Sequence, residues 1–101
     1  MTKPWRVRPS AEREIEAAID WYEARGRGVG ADLRARVTEG IERLRAEPNL
    51  GGPVLGVGGA VSFRRLLLPR FPYALVFVEL DDAYELVALM HLRRRPGYWT
   101  K

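Results

Sequence analysis

From Tyr73 to Arg93 the side chains alternate in two runs. On the first, Ala74, Val76, Val78 and Leu80 alternate with Tyr73, Leu75, Phe77 and Glu79; on the second, Tyr84, Leu86, Ala88, Met90 and Leu92 alternate with Glu85, Val87, Leu89, His91 and Arg93. A period of two is that of strands, and the short Asp81-Asp82-Ala83 link fits a tight turn, so the pattern predicts an antiparallel ribbon. One set on each arm is almost wholly apolar and requires a core, which places Leu86, Ala88 and Met90 beneath helices. The other mixes aromatics with Glu85, His91 and Arg93 and is expected to face a groove or water.

The pattern upstream has a different period. Trp5-Arg6-Val7-Arg8 alternates briefly between Pro4 and Pro9 and predicts a short first strand. Ala11, Ile15, Ala18, Ile19 and Tyr22 then recur at helical spacing, with Ser10 placed as an N-cap and Gly26 as a left-handed C-cap. Val29, Leu33, Val37, Ile41 and Leu44 mark the stripe of a second helix, which Pro48 stops near Ala46. The charged residues Glu12, Glu16, Arg34, Arg36, Glu39 and Arg43 read as solvated outer faces. Gly26, Gly28 and Gly30 fail as a phosphate loop, because no strand directly precedes them and no Gly-Lys-Ser/Thr follows.

The stretch from Asn49 to Gly59, with Gly51, Gly52, Pro53, Gly56, Gly58 and Gly59, reads as a loop, and Val61 to Leu68 as a strand. That strand is apolar on both parities, so the pattern leaves open which of Arg64 and Arg65 points to the groove. Pro69 and Pro72 make the bend into the ribbon. The order strand, helix, helix, then three strands in a meander predicts an α+β fold, with a helix pair on one face of a mostly antiparallel sheet and the other face open.

Composition narrows the function classes. A chain of 101 residues is expected to form one domain over residues 1–101, and its 47% hydrophobic and 30% charged residues are those of a globular protein. No apolar run approaches the roughly 20 residues of a membrane span. The start has no apolar leader and there is no cysteine, so a cytoplasmic protein without disulfides is expected, and a single histidine cannot build a Cys/His zinc site. The net charge of +4 allows nucleic acid or an acidic protein as partner. Acids interleave with bases in the first half, whereas Arg64, Arg65, Arg70, Arg93, Arg94 and Arg95 stand mostly free of them, which puts the usable positive field on the sheet side.

His91 is the one side chain expected to titrate near neutrality without special help. With Arg93 on its face and Arg94, Arg95, Tyr98 and Trp99 close behind, it suits RNA cleavage by the internal 2′-hydroxyl. Arginines would hold the phosphate, His91 or Tyr98 would move protons, and aromatics would stack on bases; that route needs no metal and no cofactor. The competing reading has His91 capping a strand end, the arginines solvated or paired to a partner, and the aromatics in a core or interface. Asp81 and Asp82 belong to the turn, and no Ser-His-Asp arrangement stands out.

The pieces in this order resemble the RelE/ParE toxin superfamily of type II toxin-antitoxin systems. They are Pro9-Ser10-Ala11 opening a helix with Asp20-Trp21-Tyr22 near its end; Ile41-Glu42-Arg43-Leu44 closing the second toward Pro48; Phe71-Pro72-Tyr73 entering a strand; and Leu86 to His91 running into Arg93-Arg94-Arg95-Pro96 and Tyr98-Trp99. The resemblance implies a toxin held by a cognate antitoxin in a hetero-oligomer that reaches operator DNA through the antitoxin. It implies one of two targets: DNA gyrase for ParE-like members, or mRNA on the ribosome for RelE-like endoribonucleases. In the second case Arg64, Arg65, His91 and Tyr98 would be catalytic; in either, Arg70, Arg93, Arg94, Arg95 and Trp99 would bind phosphate or target. The only lysines, Lys3 and Lys101, are terminal, unlike the lysine-bearing middle strands of RelE-like members. Arginine stays protonated and is a poor base, and the ending resembles the ParE-like, plasmid-stabilisation branch.

Overall fold

The helical spacing of the first half becomes two helices, α1 (Pro9–Arg25) and α2 (Val29–Ala46), in a computed structural model that describes residues 3–54 and 61–100. Their ends differ from expectation. Pro9 starts α1, where its missing N–H loses no helical bond; Arg8 is the N-cap, and no side chain, Ser10 included, makes a cap bond. Gly26 is extended at φ −164°, and the left-handed residue is Gly28 at φ 85°. The Glu23 carboxylate reaches back to accept the N–H groups of Gly28 and Gly30 at 3.0 Å, so donors that α2 leaves free at its start are served by α1. A Cβ on Gly30 would lie 2.7 Å from the Ile19 carbonyl oxygen, so only glycine lets the helices approach this closely.

The second half forms β2 (Gly52–Pro53), β3 (Phe63–Leu67), β4 (Tyr73–Glu79) and β5 (Tyr84–His91); with β1 (Trp5–Val7) they make a five-stranded sheet in the order β1-β5-β4-β3-β2. β1 runs parallel to β5 and the remaining pairs are antiparallel, so the α+β fold has a mixed sheet. The two-residue β2 falls where the composition predicts a loop; Gly56, Gly58 and Gly59 of that stretch lie outside the described residues. The hairpin turn closes with the Leu80 N–H donating to the Ala83 carbonyl at 2.7 Å.

Ile15 and Ile19 of α1 and Leu33, Val37 and Leu44 of α2 pack on Leu75, Phe77, Leu86 and Leu89. Here the ribbon differs from its alternation. Val76 pairs with Ala88 but Phe77 pairs with Leu86, so Val87 is an extra residue, a β-bulge that switches the parity of β5. Leu86 lies beneath the helices as expected. Ala88 and Met90 do not: the bulge turns them to the other face, where Ala74, Val76, Val78 and Val87 join them.

That other face is not open. Arg93 to Gly97 turn the chain back, and Trp99 in the short 3-10 turn Tyr98–Thr100 closes over the second apolar cluster, 7% exposed, edge-on to Phe63 at 5.6 Å. The guanidinium of Arg8 holds the turn by donating to the Trp99 carbonyl at 3.0 Å while its other nitrogen pairs with Glu85 at 3.0 Å. The sheet thus lies between a helical layer and a tail. Among the described residues no helix is long and apolar enough to cross a membrane.

Candidate functional site

Residues that face each other across a strand pair share a side of the sheet, so the register assigns every strand side chain. Tyr73 pairs with His91 and Leu75 with Leu89, which puts His91 on the helix side, at the far end of β5 from β1. The expectation that His91 would turn away from the helices fails for the same reason as that for Met90: the bulge at Val87 exchanges the faces. Arg64 pairs with Phe77 and lies on the helix side; Arg65 pairs with Val76 and lies on the tail side. The alternative left open by the apolar parities is thereby settled, and Arg65 and His91 are on opposite faces.

Arg64 donates through Nε and Nη2 to the Gly51 carbonyl at 3.3 and 3.2 Å, above the Phe77 ring. The Arg65 side chain has no hydrogen-bond or ion-pair partner among the described residues and borders a depression of mixed polarity with Arg43, Leu50 and Leu66. Arg70 sits in the bend before β4 at φ 70°, a left-handed conformation that costs a non-glycine residue about 1 kcal/mol. Arg93, Arg94 and Arg95 are exposed on the return turn after β5, and Arg94 lies 3.6 Å over the Tyr98 ring.

One stripe of α1 (Glu14, Ala17, Ala18, Trp21, Tyr22) faces the His91 end of the sheet, as residues three and four apart on a helix do. Between them lies a half-open groove of about 400 Å³, with Tyr73, Leu89, His91 and Arg94 on its other side. Its aromatic walls interlock: Tyr22 meets Phe71 edge-on at 5.2 Å, and Tyr73 meets His91 edge-on at 5.2 Å. Burial beside Tyr22 raises the Tyr73 phenol above its ordinary pKa, so it stays protonated. Trp21 is 51% exposed at the mouth, with the Arg25 guanidinium 3.6 Å from its ring.

Both proton-transfer candidates are engaged internally. The His91 Nδ1 accepts the Arg93 N–H at 3.1 Å, so the neutral ring carries its own proton on Nε2, which makes that nitrogen a donor. The Tyr98 hydroxyl donates to Glu14 Oε2 at 2.7 Å, and burial together with that carboxylate pushes its pKa far above the ordinary tyrosine value. The second Glu14 oxygen accepts the Leu89 N–H at 3.2 Å. Past Val7, β1 no longer covers β5, and Glu14 fills the vacant ladder position. The sequence gives no signal of that role, because a glutamate early in a helix reads as a partner for the helix dipole. Among the described residues no cluster of three or more His, Cys, Asp or Glu side chains could hold a metal.

Residues 6–96 match the family model described as ParE toxin of type II toxin-antitoxin system, parDE. No curated protein sequence matches the chain. Among solved structures, one titled as the chromosomal ParDE TA system from P. aeruginosa is similar, with a TM-score of 0.71 at 19% identity, over 91% of this chain and 98% of that one. At that identity the likeness shows the fold.

Proposed function

The chain belongs to the ParE toxin family of type II toxin-antitoxin systems, and on that premise we propose that it arrests growth by occupying DNA gyrase in the cytoplasm, with no RNA cleavage. The observation that carries this reading is the engagement of both proton-transfer candidates: His91 spends its Nδ1 lone pair on its own backbone, and Tyr98 is a poor base with its proton held by Glu14. In the nuclease reading Arg64 and Arg65 would act with those groups, yet Arg65 lies on the opposite face from His91 and Arg64 is bound to the Gly51 carbonyl. The guanidinium groups of Arg70, Arg93 and Arg95 have no hydrogen-bond or ion-pair partner among the described residues, which leaves them available as target contacts. The family implies a cognate ParD antitoxin as partner, in a hetero-oligomer that reaches operator DNA through that antitoxin.

The test is a supercoiling assay with purified gyrase and purified chain, run beside mapping of mRNA ends after induction. Inhibited supercoiling with intact mRNA is expected, and a His91→Ala, Tyr98→Phe double variant that still folds should remain toxic. Fully active gyrase together with new mRNA ends at ribosomal positions would sink the reading.

A further inference from the structure

The sheet is polarised along its strands. At the hairpin end Glu79, Asp82 and Glu85 each meet a cation from the start of the chain: Lys3 at 2.7 Å, Arg6 at 3.9 Å and Arg8 at 3.0 Å. At the other end stand Arg70, in the bend before β4, and Arg93, Arg94 and Arg95, on the turn after β5, all exposed. The two segments are held side by side, since the Leu92 N–H donates to the Pro72 carbonyl at 2.9 Å and Tyr73 pairs with His91. The ion pairs among the described residues all lie elsewhere. Two acids of the neighbouring α1 are already engaged, Glu14 by Tyr98 and the Leu89 N–H, Glu23 by the N–H groups of Gly28 and Gly30. Four positive charges are therefore gathered at one end without a paired carboxylate, and a polyanion supplies what they lack. Arg70 adds a second sign: it holds φ 70° although its guanidinium makes no bond within the fold, and backbone strain kept in this way points to a contact outside it.

The rings beside these arginines are engaged. Arg94 covers Tyr98 at 3.6 Å, Trp99 is buried, Phe71 is edge-on to Tyr22 and Tyr73 edge-on to His91. Single strands are held by stacking their bases on free rings, whereas a duplex keeps its bases inside and offers phosphates. We propose that the end of the sheet carrying Arg70, Arg93 and Arg95 grips the phosphate backbone of duplex DNA without reading its sequence. Arg94 stays on the Tyr98 ring. The gyrase reading above is needed only for where that DNA is met: the toxin then lies across the enzyme and the duplex it holds, and phosphate contacts add to its affinity once gyrase is loaded with DNA.

The test is fluorescence anisotropy of a short labelled duplex of random sequence, titrated with the purified chain between about 50 and 200 mM KCl. The logarithm of the affinity should fall against the logarithm of salt with a slope of about −3, close to one per phosphate contact. Arg70→Gln, Arg93→Gln and Arg95→Gln should each reduce that slope by about one, with unchanged circular dichroism. Arg34→Gln, which removes the same charge from the outer helix face, should leave it as it is. Absence of duplex binding, a triple variant that binds like wild type, or a single strand of equal length held as tightly overturns the proposal. If the duplex is not bound and the triple variant instead loses affinity for gyrase free of DNA, the arginines meet an acidic protein surface; the DNA contact is overturned and the gyrase reading survives. Duplex binding with the expected slope, beside gyrase that is neither bound nor inhibited, sinks the gyrase reading and upholds the DNA contact.

Discussion

The two faces of the sheet are buried by different means. On the helix side, two long helices bring Ile15, Ile19, Leu33, Val37 and Leu44 onto Leu75, Phe77, Leu86 and Leu89. On the other side Trp99 is the large cover over Ala74, Val76, Ala88 and Met90, held by Arg8 and by the Tyr98–Glu14 bond. The first layer is many side chains deep and has no single point of failure. The second has one large buried cover, with Val54, Phe63, Leu80 and Tyr98 packed around the cluster, and the N–H of that indole is buried with no acceptor among the described residues. Strength is thus concentrated on the helix face, and the tail face is where the molecule can be opened locally.

That contrast can be broken at several points. Phe77→Ala should have the largest effect, about 4 kcal/mol by urea unfolding, because the ring is wholly enclosed. Trp99→Ala should cost about 3 kcal/mol, and Trp99→Phe, which keeps an aromatic and removes the orphan donor, well under about 1.5 kcal/mol. Equal losses for Phe77→Ala and Trp99→Ala would make the two faces one core. On the helix side Gly30→Ala should cost about 2 kcal/mol, since the Ile19 carbonyl cannot step aside. Gly40→Ala should cost less, because its Cβ would meet the ends of Leu75 and Leu68 side chains, which can turn.

Tyr98→Phe removes one hydrogen bond of the tail, about 1 kcal/mol. Its pH dependence sharpens the point. The folded phenol binds its proton more tightly than the unfolded one, so its stabilisation is complete below the ordinary tyrosine pKa of about 10 and is lost as pH rises beyond it. Tyr73 and Lys3, both raised, lose stabilisation in the same direction. Thermal melts should therefore show a shallower alkaline decline for Tyr98→Phe than for wild type; identical declines would remove Tyr98 from the account. The smallest effect belongs to Arg34→Ala on the outer helix face. Its bridge to Glu16 at 2.8 Å is fully exposed, and the melting temperature should not move measurably.

Much of the fold was legible because helices repeat every three or four residues and a helix pair followed by a meander has few ways to pack. The face assignment was not, for a physical reason. One unpaired residue at Val87 leaves the alternation intact on either side of it, so no period reveals the switch. A usable signal was nevertheless present: Ala74 to Val78 and Leu86 to Met90 hold no polar residue, and continuous apolar runs mark strands buried on both faces, whereas one open face requires alternation. Trp99, which the resemblance makes a phosphate or target contact, is buried in this fold, and nothing in Arg93, Arg94 and Arg95 before it marks the return of the chain. At the site, residue types pointed to His91 and Tyr98. Which nitrogen is occupied, and that Glu14 holds Tyr98, are matters of distance.

The parallel contact of β1 with β5 carries a kinetic consequence. Trp5 to Val7 find their partners only at Tyr84 to Leu86, so β1 waits, unpaired, after leaving the ribosome until β5 follows it. The helix hairpin can assemble during synthesis, but β1 cannot join the sheet until β5 has emerged, and a contact so distant in the chain slows folding. During that interval the toxin would have no finished surface with which to harm the cell that is making it.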